Sequence, residues 1–130
     1  MLNDSRVEAN IPASDLKRAR DFYADKLGLT PVEEFEGVQL TYRTAGGTTF
    51  HVYRTESAGQ AGHSLAQWQV DDIESQVRDL KAKGVTFEVY PDMPGVQWDG
   101  EIAATERGRA AWFRDSEGNF MCIDEAKARA

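Results

Sequence analysis

Six side chains in this sequence have types suited to chemistry or to gripping a ligand. His51, His63 and Cys122 can hold a metal or move a proton, and Trp68, Trp98 and Trp112 can wall a pocket, because rings bury large area at low entropy cost. A lone cysteine cannot supply the paired thiolates of a structural zinc site. No basic residue lies near Cys122 in sequence to lower its pKa, so its thiol reads as a small buried hydrophobe. There is no glycine-rich phosphate loop and no Ser-His-Asp order. Trp98 falls in the Pro- and Gly-bounded stretch 91–100, a loop placed to fold over a pocket mouth. Arg107, Arg109 and Arg114 offer charge for an anionic ligand, with surface solvation as the default reading.

The elements that must position these residues are written twice. Residues 14–28 carry Leu16, Ala19, Tyr23 and Leu27 at helical spacing, widened by Phe22, with Ser14 as N-cap and Gly28 as the left-handed residue past the end. Residues 71–84 repeat the design: Ile73, Val77 and Leu80 share one face, Asp71 and Glu74 form a capping-box pair, and Gly84 closes the helix. An apolar or alternating stretch precedes each helix, 7–11 and 65–70, and β-rich sequence follows each. The first set is 30–35, 38–44 and 48–54, its last two strands joined by the Ala45-Gly46-Gly47 turn. The second is 86–90, 102–105, 110–114 and 120–124, closed by a turn at Asp115-Ser116-Glu117-Gly118-Asn119 in which Gly118 needs φ > 0. Asp15 and Asp72 start equivalent helices 57 residues apart, so the chain is an internal duplication.

Size and charge bound the rest. A chain of 130 residues predicts one domain, large enough to bury a core without disulfides. A net charge of −7 repels nucleic acid and anionic membranes. Lys17, Arg18, Arg20 and Lys26 interleave with Asp15, Asp21 and Asp25 as a solvated helix face does. No apolar run is long enough to span a membrane, no signal sequence opens the chain, and one cysteine fits a reducing compartment, so the expected home is cytoplasmic.

Against this background the residues resemble the vicinal oxygen chelate superfamily, which contains glyoxalase I, bleomycin-resistance proteins and extradiol dioxygenases. The resemblance rests on Ile11-Pro12-Ala13-Ser14-Asp15-Leu16, Phe22-Tyr23 and Leu27-Gly28-Leu29 in the first half. In the second it rests on Trp68-Gln69-Val70-Asp71-Asp72-Ile73, Lys83-Gly84-Val85 and Phe113-Arg114-Asp115-Ser116-Glu117-Gly118-Asn119. It implies an α+β fold: two tandem βαβββ modules forming a curved, half-open β-sheet cup with helices outside. The single domain 1–130 then divides into module one, about 5–56, a linker 57–62, and module two, about 63–126. A homodimer is implied as well.

The family's enzymes place one metal ligand, usually His or Glu, on the first and last strand of each module. Counting from the helix entries and turn glycines, those positions fall here on Glu8, His51, Leu65 and Cys122. Leu65 cannot ligate, and a Glu-His-Cys remainder departs from the family pattern, its thiolate favouring zinc. On a strand the same face recurs every second residue, so His63 and Gln67 share the side of Leu65. The sequence is therefore read as a small-molecule-binding protein without a metal, holding an apolar or aromatic ligand in the cup as bleomycin-resistance proteins do. Its ligand-binding residues are Glu8, His51, Tyr53, Gln67, Trp68, Trp98, Trp112 and Cys122. One alternative is an enzyme, a lyase, isomerase or dioxygenase, with one divalent metal ion on Glu8, His51 and Cys122, or with Glu8 as general base. The other is a structural or regulatory dimer with a vestigial cup.

Overall fold

A computed structural model describes residues 1–126. Two compact units make up the chain, one of residues 1–60 with 116–119, the other of residues 61–115 continuing from 120.

In the first unit the order is β1 (Ala9–Ala13), α1 (Leu16–Leu27), β2 (Glu33–Phe35), β3 (Gln39–Arg43) and β4 (Thr49–Arg54). These form a four-stranded sheet in the order β1-β4-β3-β2, with β1 parallel to β4 and the other pairs antiparallel. Alternation of side chains puts Ile11, Leu40, Tyr42, Phe50 and Val52 on one face, all buried. Ala19 and Tyr23 of α1 cover that face, with the Tyr23 ring 5.5 Å from Tyr42, which stacks at 5.0 Å on Phe50. Each such side chain contributes about 1.5–3 kcal/mol on burial. The β3–β4 hairpin turns at Ala45-Gly46-Gly47 as its sequence predicts, with Gly47 at φ 86. Strand β2 is shorter than the expected 30–35, because Pro31 has no N–H to give the ladder.

The N-cap of α1 is Asp15, whose side chain accepts from the Arg18 amide at 3.0 Å, and the expected cap Ser14 is occupied elsewhere. Both Ser14 N–H and Asp15 N–H donate to Glu117 Oε1 at 3.0 Å. Arg18, expected to lie on a purely solvated face, donates from Nε to Glu117 Oε2 at 2.7 Å and from Nη2 to Oε1 at 3.0 Å. The Glu117 side chain is 0% exposed. Burial by itself raises its pKa; the Arg18 guanidinium, the Asp15 amide and the Ser116 hydroxyl outweigh burial and hold the carboxyl down at about 2. Beside it, Asn119 Nδ2 donates to the Pro12 carbonyl at 2.8 Å. Gly59 and Gly118, both with positive φ, bring their backbones so close that a Cβ on Gly59 would lie 2.7 Å from the Glu117 carbonyl oxygen.

The second unit runs β5 (Ser64–Gln69), α2 (Ile73–Ala82), β6 (Phe87–Glu88), β7 (Gln97–Asp99), β8 (Ile102–Thr105), β9 (Gly108–Arg114) and β10 (Phe120–Ala126). Its sheet follows β5-β10-β9-β8-β7, with β5 parallel to β10, and β6 also paired with β9. Strand β8 pairs with residues 108–110 of β9 and β6 with Trp112 and Phe113, so the two share one edge of β9 in succession. That division leaves β6 two residues long where 86–90 was expected. The stretch 91–100, read as a loop, contains β7, which pairs with β8 through Trp98 opposite Ala103.

The cap of α2 is Asp72, one residue later than expected, accepting from the Ser75 amide at 3.2 Å. The capping box of Asp71 and Glu74 does not form, because Arg109 takes Glu74 at 2.7 Å while Glu125 accepts from the Ile73 amide at 2.9 Å. These contacts fix which sheet face α2 covers. Residues of the parity of Arg109 and Glu125, namely Ala111, Phe113, Met121 and Ile123, lie on it and are buried.

Candidate functional site

Each sheet has one face its helix does not cover, and the polar and aromatic residues collect there. In the first unit the register sets Asn10, His51 and Thr41 in one row across β1, β4 and β3, and Pro12, Tyr53 and Gln39 in the next. Directly opposed residues point to the same side of a sheet. Along this face runs a hydrogen-bonded line. Gln39 Nε2 and Thr41 Oγ1 lie 3.4 and 2.9 Å from His51 Nδ1, and His51 Nε2 lies 2.7 Å from Glu8 Oε1. An amide N–H donating to Nδ1 is compatible with a ring N–H at Nε2 that donates to Glu8. Thr41 is buried beneath this line, and His51 and Glu8 keep 19% and 31% exposure. A carboxylate held by an imidazole in this way presents an oriented acceptor to a ligand's N–H or O–H. Beside it a groove of about 490 Å³ is lined by Asn10, Gly37, Val38, Gln39, Tyr53 and Arg54, with Tyr53 37% exposed.

The uncovered face of the second unit is aromatic. Cys122 stands between Trp112 and Gln67 in register, and Glu88 lies opposite Trp112 on the other side. The Trp112 ring is 5.8 Å from Trp98 and 6.0 Å from Tyr90. Glu88 accepts from Arg114 Nε at 2.6 Å and from the Tyr90 hydroxyl at 3.2 Å, and the Arg114 guanidinium lies 4.1 Å over the Phe120 ring. Burial, and then Asp124, push the Cys122 pKa up to about 11, so it stays a thiol.

Of the residues singled out from sequence, the structure brings Glu8, His51 and Tyr53 onto the open face of the first unit. It brings Gln67, Trp98, Trp112 and Cys122 onto that of the second. Trp68 lies on the opposite face, its ring 6.4 Å from Phe113 in the helix-covered core. The alternation Gln67-Trp68-Gln69 carried that signal, since the apolar member of such a triplet faces the core. Thr41, Gln39 and Asn10 were missed, although they alternate with buried Leu40, Tyr42 and Ile11. Arg109 is held by Glu74 and Glu125, and Arg114 by Glu88.

The donor set departs from the one the family resemblance implies, because Leu65, at one of the four positions, offers no ligand atom. Among the described residues of either unit, no group of three His, Cys, Asp or Glu side chains is placed to hold an ion.

Comparisons with known proteins place the fold. The family described as "Glyoxalase/Bleomycin resistance protein/Dioxygenase superfamily" matches residues 6–123. No curated protein matches the chain. Among similar solved structures, TnmS3, an antibiotic binding protein from Streptomyces sp. CB03234, is 22% identical with a TM-score of 0.63, covering 95% of this chain and 97% of its own. A mutant of the fosfomycin resistance protein FosX from Listeria monocytogenes, complexed with Mn(II) and 1S,2S-dihydroxypropylphosphonic acid, is 12% identical with a TM-score of 0.68, covering 95% of this chain and 90% of its own. Lactoylglutathione lyase from Agrobacterium tumefaciens is 18% identical with a TM-score of 0.67, covering 93% and 92%. The expected α+β architecture, with open sheets, is that of these structures.

Proposed function

Since the chain belongs to the glyoxalase/bleomycin resistance protein/dioxygenase superfamily, we propose that it binds a small aromatic molecule on the uncovered faces of its sheets, without a metal. The observation that carries this reading is the cluster of Tyr90, Trp98 and Trp112 on the face α2 leaves open. Aromatic walls with a few polar groups are how small-molecule sites gain both area and orientation. A polar group is at hand on the same face of the same unit: Gln67, in register with Cys122. TnmS3, a relative in fold, is an antibiotic binding protein, which supports sequestration as the kind of activity. The protein works as a homodimer in the cytoplasm in this reading; no helix among the described residues is long and apolar enough to cross a membrane.

Intrinsic tryptophan fluorescence tests it. Titration with a panel of planar ring compounds quenches the emission saturably, and Trp112→Ala weakens the tightest binder about tenfold, a loss near 1.4 kcal/mol. A panel that leaves the emission unchanged, or a Trp112→Ala protein that binds as well as the parent, contradicts the reading.

A further inference from the structure

Two buried polar atoms on the open face of the second unit have no partner among the described residues: the Trp98 indole nitrogen and Asp124 Oδ1. Register puts them on one face. Trp98 is opposite Ala103, Ala103 opposite Ala110, and Ala110 opposite Asp124, and directly opposed residues share a side. The two positions between them are alanines, and Ala103 is fully buried, so the row is covered in the free protein and opens only if the Trp98 edge shifts. An unsatisfied buried donor or acceptor costs about 1–3 kcal/mol. A native chain that keeps two such atoms along one row therefore calls for an explanation.

The pieces around the row suit a flat occupant. The Trp98 and Trp112 rings are 5.8 Å apart and tilted at 55°, a contact that a flat ring would have to replace. Trp98 rides on β7, a three-residue strand whose paired neighbour in the sheet order is β8, at the sheet's end. The segment carrying it is bounded by Gly95 and Gly100, both at positive φ. Shifting this edge admits a ring against Trp112 at the cost of three cross-strand pairs.

We infer that the row Trp98–Ala103–Ala110–Asp124 is a ligand subsite for a planar aromatic molecule bearing a hydrogen-bond acceptor for the Trp98 N–H and an amine or hydroxyl donor for Asp124. The inference rests on the proposed aromatic-ligand function and adds to it the polarity of the ligand's two edges. On binding, the ring lies along the alanine floor against Trp112, the indole N–H donates to the ligand's carbonyl, and the Asp124 carboxylate accepts from its N–H or O–H. The two atoms without a partner among the described residues are then both satisfied.

Two fluorescent probes separate the ends. 2-Aminoacridone has the amine, a ring N–H and a carbonyl, of which only the carbonyl can accept from the Trp98 N–H; 2-aminoanthracene has the amine alone. The intact protein binds both. Trp98→Phe, which keeps a ring and removes the N–H, weakens 2-aminoacridone about tenfold and leaves 2-aminoanthracene within about twofold. Asp124→Ala weakens both about tenfold, and it does not lower the thermal midpoint, since Asp124 Oδ1 has no partner among the described residues. Equal responses of the two probes to Trp98→Phe, or unchanged binding in Asp124→Ala, overturn the subsite while leaving the aromatic-ligand reading standing. A parent protein that binds neither probe, nor any other planar ring, fails that wider reading instead. Should Asp124→Ala not fold, Asp124→Asn keeps the shape, removes the charge, and is expected to weaken both probes in the same direction.

Discussion

At Glu117 the chain places a fully buried carboxylate against the first turn of α1, where two amide N–H groups and the Arg18 guanidinium converge on it. The site combines an ion pair with the positive end of a helix. Its folded pKa, about 2, lies below the ordinary glutamate value near 4.3, so the stabilisation is fully present above the unfolded value and is lost as pH falls towards the folded one. Unfolding followed by circular dichroism should show stability falling between about pH 4.5 and 2, with the contribution on the order of 3 kcal/mol at neutral pH. Glu117→Gln is expected to lower the unfolding free energy at pH 7 by a similar amount and to flatten that acid limb. An unaltered limb would mean that Glu117 does not carry it. None of this was legible in sequence: Arg18 and Glu117 lie 99 residues apart and each looks like a surface charge. His51 is a contrasting case, because its strand position could be counted, but its Thr41 and Gln39 partners needed the strand register.

At the scale of elements, both helices and the order of strands were readable, because hydrophobic period, acidic caps and terminal glycines agree with one another. Gly28, at φ 71, ends α1 where the sequence puts it. Each helix is capped one residue later than expected, at Asp15 and Asp72, because Ser14 is drawn off by Glu117, and Glu74, the partner that Asp71 needs for its capping box, by Arg109. Local pattern cannot show such competition. The turn at 115–119 was recognised through Gly118, but its close approach to Gly59 was not. Gly59→Ala puts a Cβ 2.7 Å from a backbone oxygen at a φ of 76, where the backbone must shift. The expected loss is about 2 kcal/mol or more, from the left-handed φ and the clash together, read as a lower urea midpoint at unchanged slope. Gly62→Ala, with open space around its Cβ and no positive φ, is the control and should lie within about 0.5 kcal/mol of the parent.

Over the whole molecule, the duplication has preserved the fold in both units and let their uncovered faces diverge. The first unit's face is polar, built on Glu8, His51, Thr41 and Gln39; the second's is aromatic, built on Tyr90, Trp98 and Trp112. The four positions that the family resemblance marks for metal ligands hold Glu8, His51, Leu65 and Cys122, and the pair in the first unit is hydrogen-bonded to itself. The proposed function is metal-free binding of an aromatic molecule, supported by the Tyr90, Trp98 and Trp112 cluster. The most direct test is the affinity for 2-aminoacridone measured by fluorescence titration twice, once after dialysis against excess EDTA and once with added Mn(II) or Zn(II). The account predicts the same dissociation constant in each condition, within about twofold. A loss of binding on chelation that either metal restores would contradict it.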